Sequence, residues 1–272
     1  MSETYTKSIA IEKKCQMSVA AVRETSILLT LKHDNIIKAT AVSLVGNKVK
    51  IDMKKYAYLD VTDVKNDTQF MAECLDALSY IHSVGIIYCD IKDDNILMDG
   101  DHPIFIDFGS ACLSQSDMKC ENTTLQYAAP EMILTPASDV WSLGIVFLMI
   151  HLKMNWKKMF NDNFLEDVLS LIPKVTNVMI REMLQVNPVK RWTAKQCLQH
   201  MKLTPVAYSI PEKRTVRQLF LTKVSSHPSL KDEISIEYLE KILYKDGCHV
   251  MAKDASCHIY SVYKRMGFNL LS

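Results

Sequence analysis

The most informative part of this chain is Tyr88-Cys89-Asp90-Ile91-Lys92-Asp93-Asp94-Asn95, which is followed by Asp107-Phe108-Gly109. The leading aspartates of the two motifs lie seventeen positions apart. Between the motifs, two short apolar runs, Ile96-Leu97-Met98 and Ile104-Phe105-Ile106, flank the turn residues Asp99-Gly100-Asp101. Apolar runs bounded by turn residues in this way are typical of a β-hairpin. The sequence therefore predicts a hairpin with carboxylate and amide side chains at both of its ends.

Both motifs resemble those of eukaryotic-type serine/threonine protein kinases, in which a catalytic loop H-R-D-L-x-x-x-N precedes D-F-G. The resemblance implies that Asp90 accepts the proton of a substrate hydroxyl and that Lys92 offsets charge on the transferred phosphate. It also implies ATP as the phosphate donor. Because Mg²⁺ prefers hard oxygen ligands, Asn95 and Asp107 are the expected ligands of that metal.

Three later motifs match the same family in the same order. They occupy residues 127–131, which resemble the A-P-E box, residues 139–144, which resemble the start of a long buried helix, and residues 183–191. The resemblance implies a buried, structural ion pair between Glu131 and Arg191. Thr124 lies seven residues before Glu131, at the position whose hydroxyl steadies the catalytic aspartate and lysine. We therefore group Thr124 with Asp90 and Lys92 as a candidate catalytic residue.

The family implies an α+β, protein-kinase-like fold of two lobes, with a small β-rich N-lobe and a large, mainly α-helical C-lobe. We expect a truncated N-lobe over residues 1–57, the C-lobe over residues 58–203 and a C-terminal helical extension over residues 204–272. The apolar pattern agrees with this division. Apolar residues at helical spacing run from Met71 to Ile81, and the apolar run from Val140 to Leu152 is long enough for a core helix but too short to span a bilayer.

The start of the chain departs from the kinase pattern. Kinases cover the phosphates with G-x-G-x-x-G on a hairpin that precedes the strand carrying the V-A-I-K lysine. In this sequence no glycine precedes Gly46. We therefore expect a shortened nucleotide lobe without a glycine-rich loop, although a sequence that lacks the true N-terminus would show the same pattern.

The first strand can be aligned with the V-A-I-K motif in two ways, which differ in the residue at the position of the phosphate-pairing lysine. If Ala10-Ile11-Glu12 matches A-I-K, a glutamate replaces the lysine; if Ile11-Glu12-Lys13 matches, the lysine is Lys13, with Lys14 as a second candidate. We favour Lys13, which shares a strand face with Ile11 because strand side chains alternate. Its expected partner is Glu24, although the stretch between the two is shorter than kinases usually show.

Residues 51–56 resemble the kinase hinge strand, with Met53 as gatekeeper and the backbone up to Lys55 and Tyr56 beside the adenine. This hinge, together with residues 108–112, is similar to herpesvirus-type kinases and suggests a viral source.

Cys89 replaces the arginine that binds a phosphorylated activation loop in many kinases, and Cys120 occupies the usual phospho-acceptor position. We therefore expect no dependence on phosphorylation at that position.

The composition argues against several other classes of protein. The formal net charge is +1, so the overall charge of the protein does not predict a nucleic-acid or membrane partner. The eight cysteines include no C-x-x-C pair, and the first residues contain no apolar leader, which together favour reduced thiols in the cytoplasm or nucleus. The expected partners are proteins with serine or threonine acceptors, and the oligomeric state is not predicted.

Two functions follow from the resemblance. The first is an active serine/threonine protein kinase, since Asp90, Lys92, Asn95 and Asp107 are all present. The second is a pseudokinase that acts as a protein-binding module, since the glycine-rich loop is not found. Binding of ATP with Mg²⁺ distinguishes the two.

Overall fold

A computed structural model of the chain describes residues 3–10, 24–25, 27–29, 31–45, 48–113, 124–154 and 164–203. Its strands are β1 (Thr4–Ala10), β2 (Ala39–Val45), β3 (Lys48–Lys54), β4 (Ala57–Tyr58), β5 (Ile86–Ile87), β6 (Ile96–Asp99), β7 (His102–Phe105) and β8 (Cys112–Leu113). Its helices are α1 (Asp67–Ser83), α2 (Pro136–Leu152), α3 (Phe164–Leu171), α4 (Val178–Met183) and α5 (Ala194–His200). Small antiparallel sheets beside a helical body confirm the predicted α+β class. The predicted extension over residues 204–272 lies outside the described residues.

The N-terminal sheet has the strand order β1-β3-β2, and both pairings are antiparallel. β2 and β3 pair with each other on either side of residues 46–47. Alternate side chains of β3 face the core, with Val49 and Ile51 fully buried. Lys7 of β1 lies directly opposite Ile51. Because opposite residues of an antiparallel pair share a face, Lys7 lies on the inner face of the sheet.

Backbone hydrogen bonds join the segment before β2 to the second sheet, whose order is β4-β6-β7. The Ile37 N–H donates to the Phe105 carbonyl at 2.9 Å, and the Phe105 N–H donates to the Asn35 carbonyl at 2.8 Å. β6 and β7 form the hairpin predicted between the two opening motifs. These bonds fix the second motif, which follows β7, relative to the first sheet.

Helix α2 is the centre of the core. Every residue from Ser138 to Ile150 is buried, as expected for a helix that is apolar on all sides. Pro136 occupies its first turn, and a capping box between Thr135 and Ser138 satisfies the N-terminal backbone donors. At 17 residues it confirms the predicted core helix, and in the part of the chain that the structure describes no helix is long and apolar enough to cross a membrane.

Gly144 allows α2 to approach α4 closely. A Cβ atom at this position would lie 3.0 Å from Leu184 Cδ2 and 3.1 Å from Met183 Cβ, closer than carbon atoms normally pack. A larger side chain would therefore push α2 away from α4.

The predicted pair of Glu131 and Arg191 is confirmed. Arg191 Nη1 and Nη2 donate to the two carboxylate oxygens of Glu131 at 2.7 and 2.9 Å. Two further donors of the same guanidinium reach the carbonyls of Ala137 at 2.8 Å and Gln185 at 2.9 Å. The Arg191 side chain is 0% exposed, and the guanidinium lies over the Trp141 ring at 5.1 Å. One arginine therefore ties the chain before α2 to the chain after α4.

We expect Arg191→Leu to destabilise the fold strongly. The substitution removes the ion-pair partner of Glu131 and one donor to each of two carbonyls, and breaking one half of a buried ion pair typically costs about 3–5 kcal/mol. Thermal unfolding followed by circular dichroism should show a clearly lower Tm. Lys190→Leu, at the exposed neighbouring position, is the control and should leave the Tm nearly unchanged. Equal Tm values for the two variants would contradict the structural role of the pair.

Candidate active site

The loop that carries Asp90 is held by the carboxylate of Asp139 in α2. The Tyr88 N–H donates to Asp139 Oδ2 at 2.7 Å, and the Cys89 N–H donates to Asp139 Oδ1 at 2.8 Å. His82 Nε2 lies 2.8 Å from Oδ2. Asp139 is 1% exposed, and a buried charge is stable only when it is hydrogen-bonded in this way. The core helix thereby fixes the backbone immediately before Asp90.

Two residues of the site have left-handed backbones. Cys89 has φ of 73° and Asp107 has φ of 58°. A residue other than glycine rarely adopts this conformation, which persists when the surrounding structure determines it and which is common at functional sites. The two bends come directly before Asp90 and within the Asp107-Phe108-Gly109 motif.

The Asp90 carboxylate is the centre of a compact polar cluster. Lys92 Nζ donates to Oδ2 at 2.6 Å, and the Asn95 amide donates to the same oxygen at 3.0 Å. The Thr124 hydroxyl donates to Oδ1 at 3.0 Å, and Lys92 Nζ also donates to that hydroxyl oxygen at 3.0 Å. The cluster brings together the three residues that the sequence grouped as candidate catalytic residues.

Tyr88 packs beneath the second motif. Its ring meets the Phe108 ring edge to face, with 4.9 Å between centroids, and its hydroxyl donates to the Ile106 carbonyl. Burial raises the pKa of Tyr88 well above its ordinary value, so the phenol remains a donor.

Lys7 pairs with Glu24, the partner that the sequence predicted for Lys13. Lys7 Nζ donates to the two Glu24 carboxylate oxygens at 2.8 and 2.9 Å and lies 3.1 Å from Asp107 Oδ1. Burial opposes the charge of Lys7, but Glu24 and Asp107 outweigh it and raise the pKa of the ammonium. Burial likewise raises the pKa of Glu24, against the lowering effect of Lys7. The predicted residue, Lys13, lies outside the described residues.

A signal for Lys7 was present in the sequence. The Lys13 register left too short a stretch before Glu24, whereas Lys7 precedes Glu24 by seventeen positions. β1 spans Thr4–Ala10 and places Lys7 at its centre, six positions before Lys13.

Asn95 and Asp107 present oxygen atoms suited to Mg²⁺. The Asn95 amide nitrogen is turned towards Asp90, so its oxygen faces away from that carboxylate. Asp107 Oδ1 accepts from the Gly109 N–H at 3.2 Å and lies near Lys7. Neither of these contacts involves Oδ2. Among the described residues no three His, Cys, Asp or Glu side chains form a metal cage. Mg²⁺ needs none, because it binds through one or two protein oxygens together with substrate phosphates.

The hinge residues are only partly placed as expected. Met53 is 4% exposed and belongs to the core, and Tyr56 packs against that core. Lys55, however, is turned to Glu3: its N–H donates to the Glu3 carbonyl at 2.9 Å, and its ammonium donates to the Glu3 carboxylate at 2.8 Å. The Lys55 N–H is therefore used inside the protein, and the assignment of Lys55 as a nucleotide contact stays a prediction.

Sequence reasoning missed two positioning contacts. Asp139 was included in a motif but received no role, because the two N–H groups that it binds lie about fifty positions earlier in the chain. The Tyr127 hydroxyl donates to Asp93 Oδ1 at 2.6 Å and anchors the loop from the other side. Both contacts depend on how distant segments pack.

Comparisons with known proteins agree with this geometry. The model of the protein kinase domain family matches residues 3–202. Serine/threonine-protein kinase PAK 1 of Mus musculus is 28% identical over 229 residues, which cover 70% of this chain and 42% of that protein. CBL-interacting serine/threonine-protein kinase 17 of Arabidopsis thaliana is 27% identical over an alignment of 321 positions, which covers 96% of this chain and 74% of that protein. The chain spans 38–61% of the length of three curated relatives that it matches.

We expect Asp139→Ala to loosen the loop that carries Asp90. The substitution removes the acceptor of two backbone N–H groups, and hydrogen bonds to a charged group contribute about 1.5–3 kcal/mol each. The Tm should fall, and amide hydrogen exchange at Tyr88 and Cys89 should accelerate. Asp94→Ala changes an exposed carboxylate of the same loop and serves as the control. Unchanged exchange in Asp139→Ala would contradict the anchoring role.

Proposed function

Because this chain belongs to the protein kinase domain family, we propose that it transfers the γ-phosphate of ATP to serine and threonine hydroxyls of proteins. The relatives named serine/threonine-protein kinases support this class of acceptor. The proposed acceptors are side chains of protein substrates.

The observation that carries the proposal is the environment of Asp90. Its two oxygens are held by Lys92, Asn95 and Thr124, which orient the carboxylate before any substrate arrives. A carboxylate in this position accepts the proton of the attacking hydroxyl, and its exact placement matters because reacting groups must be aligned. Lys92 adds a fixed positive charge beside the same carboxylate, where negative charge develops during phosphate transfer.

A second group of residues suits the nucleotide. Lys7, fixed by Glu24, presents an ammonium to phosphate oxygens, and Asn95 and Asp107 would hold Mg²⁺. When bound, Mg²⁺ supplies neutralisation of the phosphate charges. The contact of Lys7 with Asp107 brings the phosphate-binding cation and the metal ligand within 3.1 Å of each other.

We expect Asp90→Asn to remove phosphate transfer while ATP binding persists. The amide has nearly the same shape but cannot accept the hydroxyl proton, and loss of a general base typically lowers the rate by about 10²–10⁴-fold. Transfer of labelled phosphate to a basic protein substrate measures kcat, and calorimetry with Mg²⁺ measures the Kd of ATP. Asp94→Asn is the matched control. Undiminished transfer by Asp90→Asn would show that another group, or a contaminant, performs the reaction.

Comparing Lys7→Met with Lys13→Met decides which lysine serves the nucleotide. Loss of a charged hydrogen bond of about 1.5–3 kcal/mol should weaken ATP binding by roughly tenfold to a hundredfold in Lys7→Met. Lys13→Met should leave the Kd close to that of the unaltered chain. The reverse result would restore the Lys13 register. If the unaltered chain binds no ATP at millimolar concentration with Mg²⁺, the binding-module function replaces the proposed one.

A further inference from the structure

Two thiols meet beside the candidate active site. Cys89 Sγ and Cys112 Sγ lie 3.4 Å apart, and both cysteines are nearly buried, with 6% and 8% of their surfaces exposed. They share a small apolar cluster with Ile87 and Leu134. Cys89 directly precedes Asp90, and Cys112 lies in β8, five positions after Asp107. The contact therefore joins the two motifs that carry the proposed chemistry.

Backbone contacts hold both cysteines in place. Ile87 and Cys112 are paired residues of the β5–β8 ladder. Cys89 lies two positions after Ile87, and its left-handed conformation is fixed by the hydrogen bond from its N–H to Asp139. In this conformation the thiol points towards Ile87, with Sγ 3.4 Å from the Ile87 carbonyl oxygen. The short distance between the sulfurs thus results from the strand pairing and from the buried anchor of the loop.

We propose that Cys89 and Cys112 are a redox-active pair that hydrogen peroxide converts to a disulfide. In the first step one sulfur attacks the O–O bond, forming a sulfenic acid and releasing one water. In the second step the other thiol attacks the sulfenic sulfur, the S–S bond forms, and a second water leaves. Two thiols and one hydrogen peroxide thus give one disulfide and two waters. The sulfurs must approach from 3.4 Å to a bond length of about 2.05 Å, a small movement.

The disulfide has a consequence that rests on the proposed function. It closes a covalent loop around Asp90, Lys92, Asn95 and Asp107 and draws Cys89 towards β8. Asp90 follows Cys89 directly, and its partners lie at 2.6–3.0 Å, so a displacement of about 1 Å disturbs an alignment on which the rate depends. Oxidation is therefore inhibitory, and reduction restores activity.

Two other buried cysteines serve as internal controls. Cys74 in α1 and Cys197 in α5 are both 0% exposed. Burial raises the pKa of the Cys74 thiol well above its ordinary value and that of Cys197 to about 12. Neither thiol is expected to react under conditions that oxidise the Cys89–Cys112 pair.

The decisive experiment maps disulfides in the full chain after treatment with hydrogen peroxide and alkylation of the remaining thiols. Trypsin cleaves after Lys92 and Lys119 and thereby separates Cys89, Cys112 and Cys120, while chymotrypsin cleaves after Tyr80 and separates Cys74 from Cys89. We expect one linked peptide pair that joins Cys89 to Cys112 and is lost with dithiothreitol. Alkylation of both thiols after treatment, or linkage of either to another cysteine such as Cys120, would overturn the proposal.

Activity provides a second, separate readout. Transfer by the unaltered chain should fall at least tenfold with peroxide and recover with dithiothreitol, whereas the ratio of treated to untreated rates should stay near one in Cys112→Ala. Cys197→Ala should behave like the unaltered chain. A linked peptide without loss of transfer would overturn the inhibitory effect. If the chain transfers no phosphate at all, the proposed function fails, and the peptide map still decides whether the disulfide forms.

Discussion

The carboxylate of Asp139 is the interaction on which the arrangement of the site depends. It lies on the core helix α2 and accepts the N–H groups of Tyr88 and Cys89. The cost of burying this charge is offset by these hydrogen bonds and by His82. Movement of the loop would therefore remove two hydrogen-bond donors from a charge that stays buried in the core. The packed helix α2 thereby fixes the position of the backbone next to Asp90.

The remaining charges of the site form two linked groups. In one, Asp90 is neutralised by Lys92 and oriented by neutral donors. In the other, Lys7 is shared between Glu24 and Asp107, so that it connects the first sheet to the motif after β7. Each group balances opposite charges at short range in a partly buried setting, where such pairing is stronger than in water. The Cys89–Cys112 contact links the residue directly before Asp90 to β8, which follows the motif that begins at Asp107.

Much of this arrangement was readable from the sequence, because its determinants are local. The hairpin between the two opening motifs and the core helix follow from apolar spacing and turn residues, whereas the fold class was implied by the family resemblance. Asp90, Asn95 and Asp107 were identified as candidate site residues because one short segment resembles the kinase motifs. The pair of Glu131 and Arg191 was predicted only through the family resemblance, since sixty positions separate its members.

Other features depended on tertiary packing. Whether Lys7 or Lys13 reaches Glu24 depends on strand boundaries and on the pairing of Lys7 with Ile51, and a shift of one residue would turn the side chain to the other face. The contact between Cys89 and Cys112 depends on a left-handed backbone and a two-residue strand pair, neither of which has a periodic signal. The sequence by itself determined which chemical groups are present and which local elements carry them. The tertiary structure decided which of those groups meet, because hydrogen bonds between distant segments form only after the core has packed.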